Sequence, residues 1–127
     1  MRTPEDIRLA LTESLEEIRE LPHFWDGKSA KPITKDAATR AYRIIQDMPD
    51  RLLQRVSLHP RADGSVSIEF ETPSHKGCGA IICRPDKASG FVIRHSGEYR
   101  TYIHLSLAGL KTFFTEIESV YNSYTTR

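Results

Sequence analysis

A chain of 127 residues is the length of one domain, and folding at that size buries enough surface for a single core without disulfide or metal staples. The formal net charge of +1 exerts no global pull on nucleic acid or on an acidic partner. The opening run Met1–Asp6 has no apolar stretch like that of a signal peptide, and the run Ala80–Cys83 falls far short of the roughly 18–20 residues of a spanning helix, so a cytoplasmic protein that enters no membrane is expected.

Thr3 before Pro4 has the chemistry of a helix start: a hydroxyl to cap free amides, then a proline whose missing N–H costs nothing there. Glu5 and Asp6 suit the positive end of the helix dipole, and Ile7, Leu11, Leu15 and Ile18 recur at helical spacing as one apolar stripe. Leu21-Pro22 ends this helix. A connector from His23 to Ile33 follows, rich in aromatic and turn residues. Thr34 then caps a second helix, with Asp36 in its first turn. Ala38, Ala41, Ile45 and Met48 form its buried stripe, Tyr42 and Ile44 flank it, and Pro49 stops it.

From Leu52 the period falls to two. Val56 and Leu58 alternate with polar neighbours, and Asp63-Gly64 marks a hairpin. Val66, Ile68 and Phe70 alternate with Ser65, Ser67, Glu69 and Glu71, the pattern of a strand with one wet face. A polar loop, 72–79, leads to a third strand over 80–84. The turn 85–90 leads to a fourth over 91–94, and His95-Ser96-Gly97 to a fifth over 98–105. Links this short require antiparallel neighbours. Ser106 caps a last helix whose stripe is Leu107, Leu110, Phe114, Ile117 and Tyr121, widened by Phe113 and Val120. The expected fold is one α+β domain over residues 1–127. It has two layers, a five-stranded antiparallel meander packed with three helices, in the order ααβββββα.

Three patterns carry a resemblance. Leu21-Pro22 is followed by Trp25-Asp26-Gly27, Ala30 and Pro32-Ile33; an alanine-bearing helix ends in Met48-Pro49; Pro60 precedes Asp63-Gly64-Ser65 and an alternating strand ending near Glu69-Phe70. Together they resemble a diffuse group of short bacterial and phage proteins, over roughly the first 70 residues. Phe70 stands where many of that group carry tryptophan. The resemblance implies the fold, the compartment and a place in a mobile-element or defence-related locus. It implies no catalytic residue.

Trp25-Asp26-Gly27 reads as a structural loop. Asp26 can accept backbone amides two residues on, Gly27 can take a positive φ, and Trp25 can bury about 150–250 Å² and pin the loop to the core. An exposed Trp25 would instead anchor a partner. His75, Cys78 and Cys83 are fragments of a metal site, but structural zinc needs four ligands with tight cysteine pairs, and no spacing designates His95 or His104 as the fourth. No metal and no cofactor are expected. The two thiols, five residues apart in a strand, would point to opposite faces and not bridge. Cys78 in a flexible loop with His75 and Lys76 is the arrangement nearest to a nucleophile, without an oriented base or oxyanion site in the sequence, so no catalytic residue is assigned. Glu69 and Glu71 share a strand face and read as solvated. The fifth strand sets Arg100, Tyr102 and His104 on one polar face, with Arg84 and Arg94 nearby in the sheet.

Good folding signals without a chemical constellation point to a non-enzymatic protein-binding module, an inhibitor, neutraliser or accessory protein, with Arg84, Arg94, Arg100, Tyr102 and His104 as contact residues. The alternative is a nucleic-acid-binding module, in which the same face stacks bases and holds phosphates. A cysteine-dependent enzyme centred on Cys78 is the third reading.

Overall fold

Capping chemistry starts the chain as its first residues lead one to expect. In the computed structural model, which describes residues 2–72 and 77–125, the Thr3 hydroxyl accepts from the Asp6 N–H and the Asp6 carboxylate accepts from the Thr3 N–H, both at 3.1 Å. This reciprocal box opens α1 (Pro4–Arg19), which buries Ile7, Leu15 and Ile18. Thr34 opens α2 (Lys35–Asp47) by accepting from the Ala37 N–H at 3.2 Å. Ala37, Ala38, Ala41, Ile44 and Ile45 are buried, while Tyr42 stays exposed. Met48, held extended by the proline after it, ends the helix. Arg8 ties the two helices together. Its guanidinium donates to the Ile45 and Met48 carbonyls at 3.3 and 2.5 Å, groups that a helix end leaves without partners, and pairs with Asp50 at 2.8 Å.

Leu52 does not begin an extended segment. A 3-10 helix, Asp50–Arg55, intervenes and buries both Leu52 and Leu53. Adjacent residues of a strand point to opposite faces, whereas in a tight helix two neighbours can reach the same core.

Five strands follow: β1 (Val56–Pro60), β2 (Val66–Glu71), β3 (Gly77–Cys83), β4 (Ala88–Ile93) and β5 (Tyr99–Tyr102). They pair antiparallel in the order β1-β2-β3-β4-β5, and α3 (Leu107–Thr125) closes the chain. The fold is therefore the expected α+β meander with helices before and after it. Val66, Ile68 and Phe70 are buried and Glu69 is only half-covered, as the alternation requires, but Ser65 and Ser67, expected on the wet face, are buried as well. Register carries that face across the sheet, Ile68 opposite Ile81, Val66 opposite Cys83, Cys83 opposite Ala88 and Gly79 opposite Val92. These residues form one core with Ile45, Leu52, Phe113 and Ile117 from the helical layer.

Strands β3 and β4 begin earlier than the periodicity indicated, because two glycines read as turn residues are strand residues. A Cβ on Gly79 would stand 2.6 Å from the Phe91 carbonyl oxygen and 2.9 Å from Ile117 Cδ1. On Gly90 it would stand 2.9 Å from the Ala80 oxygen and 3.1 Å from Phe113 Cε2. The glycines are the seats on which α3 lies against the sheet.

The register also shifts once. Phe70 faces Gly79, but Glu71 faces Gly77, which makes Cys78 the extra residue of a bulge. Cys78 therefore lies in β3 and not in the loop before it, and its thiol turns inward, 2% exposed and 3.6 Å from the Phe70 carbonyl oxygen. The expected placement of the two thiols on opposite faces fails for the same reason: Cys78 and Cys83 are both in the core, and both are free.

The Ser106 hydroxyl accepts from the Gly109 N–H at 3.1 Å at the start of α3. That helix turns Phe113, Phe114, Glu116, Ile117 and Val120 inward, whereas Leu107, expected in the stripe, is 76% exposed. Among the described residues no helix is long and apolar enough to cross a membrane.

Candidate interaction surface

A carboxylate sits inside the apolar face of α3. Glu116, between Phe113 and Val120, has a side chain only 8% exposed, and three groups converge on it. Arg94, just beyond β4, lies 3.0 Å from its Oε2; Arg100 of β5 lies 3.0 Å from its Oε1; the Tyr102 hydroxyl donates to Oε1. The Arg100 guanidinium also stands 5.3 Å from the centre of the Tyr102 ring, which meets Phe113 edge-on.

Register explains the convergence. Arg100 is opposite Val92 and Tyr102 opposite Gly90, so both residues share the side of the sheet that the helices cover. The sequence reading grouped Arg100 with Tyr102 correctly but put them on the outer face. His104 does not join them: it lies exposed in the bend after β5. Arg84 is apart as well, half-buried in the β3–β4 turn, where its N–H donates to the Lys87 carbonyl at 2.9 Å. Arg40 spans from α2 to the Arg84 and Pro85 carbonyls, at 3.1 Å each. Three of the five proposed contact residues thus meet at Glu116, and two do not. Glu116 itself was missed, although its spacing gave a signal: it falls three residues after Phe113 and four before Val120, inside a stripe collected by counting apolar residues only.

Among the described residues the opposite side of the sheet carries no helix, and its two halves differ. Toward β1 and β2 it is polar. His59 Nε2 lies 3.0 Å from Ser57 Oγ and 3.7 Å from the Glu69 carboxylate, which also accepts from the Ser67 hydroxyl at 3.2 Å. Toward β4 and β5 it is mainly apolar, interrupted by Ser89 and Thr101. Ile82 and Phe91 are half-buried there, and Phe91 stacks on Tyr99 with ring centres 5.7 Å apart. Ile93, Tyr99 and Ile103 are 36%, 63% and 74% exposed. Two depressions of about 390 and 290 Å³ adjoin along this face, sharing Ile82 and Phe91 as lining; Arg84 borders the second. A uniformly wet outer face was expected. The observed one has an apolar strip beside the free edge strand β5.

The Trp25 loop closes largely on itself. Asp26 accepts from the Lys28 and Ala30 N–H groups at 2.9 and 3.1 Å, and the bond from Lys28 leads in holding its carboxyl below the usual range. Gly27 takes φ +76°. Trp25 is half-buried, donates from Nε1 to the Lys31 carbonyl at 3.0 Å, and lies outside the apolar core cluster. The loop's exposed aromatic is Phe24, at 63%.

Burial pushes the Cys78 and Cys83 thiols up to about 12, which leaves almost no thiolate at neutral pH. His75 and Lys76, the other members of the cysteine arrangement, lie outside the described residues. Among the described residues no group of three or more His, Cys, Asp or Glu side chains is placed to hold a metal ion. Between α2 and the start of α3 runs an open groove of about 630 Å³ with Ile44, Ala88, Leu105 and Leu110 in its lining. Arg40 and Arg43 also line it, and Arg40 is already engaged by the two turn carbonyls. No protein-family model, no curated protein and no solved structure matches the chain.

Proposed function

We propose that this chain is a non-enzymatic module that binds another protein through the apolar strip of its open sheet face. In this reading it acts in the cytoplasm as an inhibitor, neutraliser or accessory protein of a bacterial or phage mobile-element or defence locus. The observation that carries the reading is the run of Phe91, Ile93, Tyr99 and Ile103 on the side of the sheet that no helix covers. Interface centres favour aromatic and aliphatic side chains and exclude charge, while their rims are polar. Ser57, His59 and Glu69 supply such a rim on one side, and Arg84 supplies it at the end of the strip.

Arg94, Arg100 and Tyr102 serve this surface from behind, by fastening β5 to α3 through Glu116. The same engagement weighs against nucleic acid, because the groups meant to hold phosphates and stack a base are bound to a carboxylate on the other side of the sheet. Affinity capture from the native host tests the proposal, with the parent chain compared with a double variant, Ile93→Glu and Ile103→Glu. Both positions are exposed, so the variant should fold. The expected result is a protein retained by the parent and lost by the variant. Salt-sensitive oligonucleotide binding that the double variant keeps and Arg84→Glu weakens would overturn it.

A further inference from the structure

We infer that β5 is also the dyad strand of a homodimer, in which two copies pair their β5 strands antiparallel about Tyr99 and join two five-stranded sheets into one. The inference stands apart from the heterologous partner proposed above, because it rests on the strand edge and on charges of the helix-covered side.

Backbone direction comes first. The Arg94 N–H donates to the Glu98 carbonyl at 2.8 Å, and the Arg94 carbonyl accepts from the Gly97 N–H at 2.8 Å, so this position closes the β4–β5 hairpin with the Glu98 carbonyl turned toward β4. Antiparallel alternation then turns the backbone groups of Arg100 and Tyr102 toward β4, and those of Tyr99 and Thr101 away from it. β5 is the last strand of the sheet, so among the described residues the outward groups face no neighbouring strand. Edge strands are normally blunted by proline, lysine or a bulge. Tyr-Arg-Thr-Tyr has none of these and is rich in strand-forming residues; its brevity and the charge of Arg100 are the blunting it carries, and the dimer pairs that charge. The other edge, β1, ends on Pro60 and has α1 packed beside it.

Charge then selects the register. An axis through Arg100 would set it against Arg100 of the second copy, a like-charge pair. An axis through Thr101 would set Arg100 against Tyr102 of the second copy, whose hydroxyl is already taken by Glu116. An axis through Tyr99 sets Glu98 against Arg100 of the second copy, twice, on the same side of the sheet. These fall at non-hydrogen-bonded positions, where opposed side chains come closest. Glu98 is exposed, and Arg100 is 59% exposed with one of its nitrogens on Glu116, which leaves further N–H donors of the guanidinium to bind a second carboxylate. On the open side the same axis brings the two Tyr99 rings together and continues each Phe91–Tyr99 stack across the dyad.

Pairing through so short an edge buries area at the low end for protein interfaces, so the dimer is expected to be reversible, with dissociation at roughly 10–100 µM. Sedimentation velocity on the full chain, from about 1 µM to 1 mM, reads it directly. The parent should shift from monomer to dimer across that range. Glu98→Arg and Arg100→Glu should each stay monomeric, and their equimolar mixture should recover the dimer, because opposite charges then face each other at both positions. Thr101→Pro covers the case in which Arg100→Glu fails to fold. The Thr101 N–H points away from β4, so proline there keeps the β4–β5 ladder but removes a donor from the new one, and the variant should melt with the parent yet remain monomeric. A parent that stays monomeric throughout overturns the inference. So does a dimer that survives Glu98→Arg and Thr101→Pro, or a mixture of folded single variants that fails to recover it.

Discussion

Replacing Glu116 with glutamine keeps the shape of the side chain and removes the charge on which Arg94, Arg100 and Tyr102 converge. The cost can be built from the partners. Arg94 and Arg100 are 39% and 59% exposed, so both can turn to water, and each pair is worth only about 0.5–1 kcal/mol. The Tyr102 hydroxyl is part-buried against Phe113 and donates to an ionised acceptor, a bond worth about 1 kcal/mol more than the one a neutral amide oxygen would accept. The sum, about 2–3 kcal/mol, falls just below the roughly 3–5 kcal/mol lost when a fully buried pair is broken. For a chain of 127 residues that is a fall in melting temperature of roughly 8–12 °C, at about 4 °C per kcal/mol. Urea unfolding of Glu116→Gln, Tyr102→Phe and the double variant measures it. The two changes should be coupled by about 1 kcal/mol, since the hydroxyl's bond weakens by that much once its acceptor is neutral. Strict additivity, or a Glu116→Gln protein as stable as the parent, would refute the convergence as a source of stability.

Trp25→Ala should cost about 2 kcal/mol, from half-burial of the indole and one hydrogen bond to Lys31, and a loss of 5 kcal/mol in thermal melts would mean that the ring is a core anchor after all. Burial holds the Cys78 and Cys83 thiols near 12, above their unfolded value of about 9. The folded state therefore keeps protons that the unfolded chain releases, and the stability due to these thiols is complete below about pH 9 and lost as pH rises toward 12. Urea midpoints at about pH 8 and about pH 10.5 should fall less in a Cys78→Ala/Cys83→Ala double variant than in the parent; parallel falls would exclude the thiols as the cause.

Element order and core alternation were legible because their signals are local. Thr3-Pro4, Thr34 and Ser106 each start a helix with a cap visible in a few residues, and Val66, Ile68 and Phe70 set their phase by contrast with polar neighbours. β5 offers no such contrast. In Tyr-Arg-Thr-Tyr each face carries one aromatic and one polar residue, so the period of two is evident but its phase is not. That phase comes from pairing with β4, a contact outside the strand's own sequence. The Cys78 bulge has the same character, since an inserted residue shifts phase only relative to a partner. Gly79 and Gly90 have two local meanings, turn or close approach, and only the position of α3 decides between them.

Glu116 also decides which side of β5 the sheet leaves uncovered. Turning β5 over would bring Tyr99 and Thr101 under α3 and carry Arg100 and Tyr102 to the open side. Glu116 would then lose two of its three partners while remaining on the buried face of α3, and a buried carboxylate short of partners costs several kcal/mol. Covering Tyr99 returns less, because its ring already stacks on Phe91 and has only part of its surface left to bury. The polar node therefore fixes the phase of β5, and the phase places Tyr99 beside Phe91 and Ile93 on the uncovered side. The apolar strip is thus the counterpart of the buried carboxylate. A variant that removes the carboxylate should loosen β5 before it touches any residue of the surface itself.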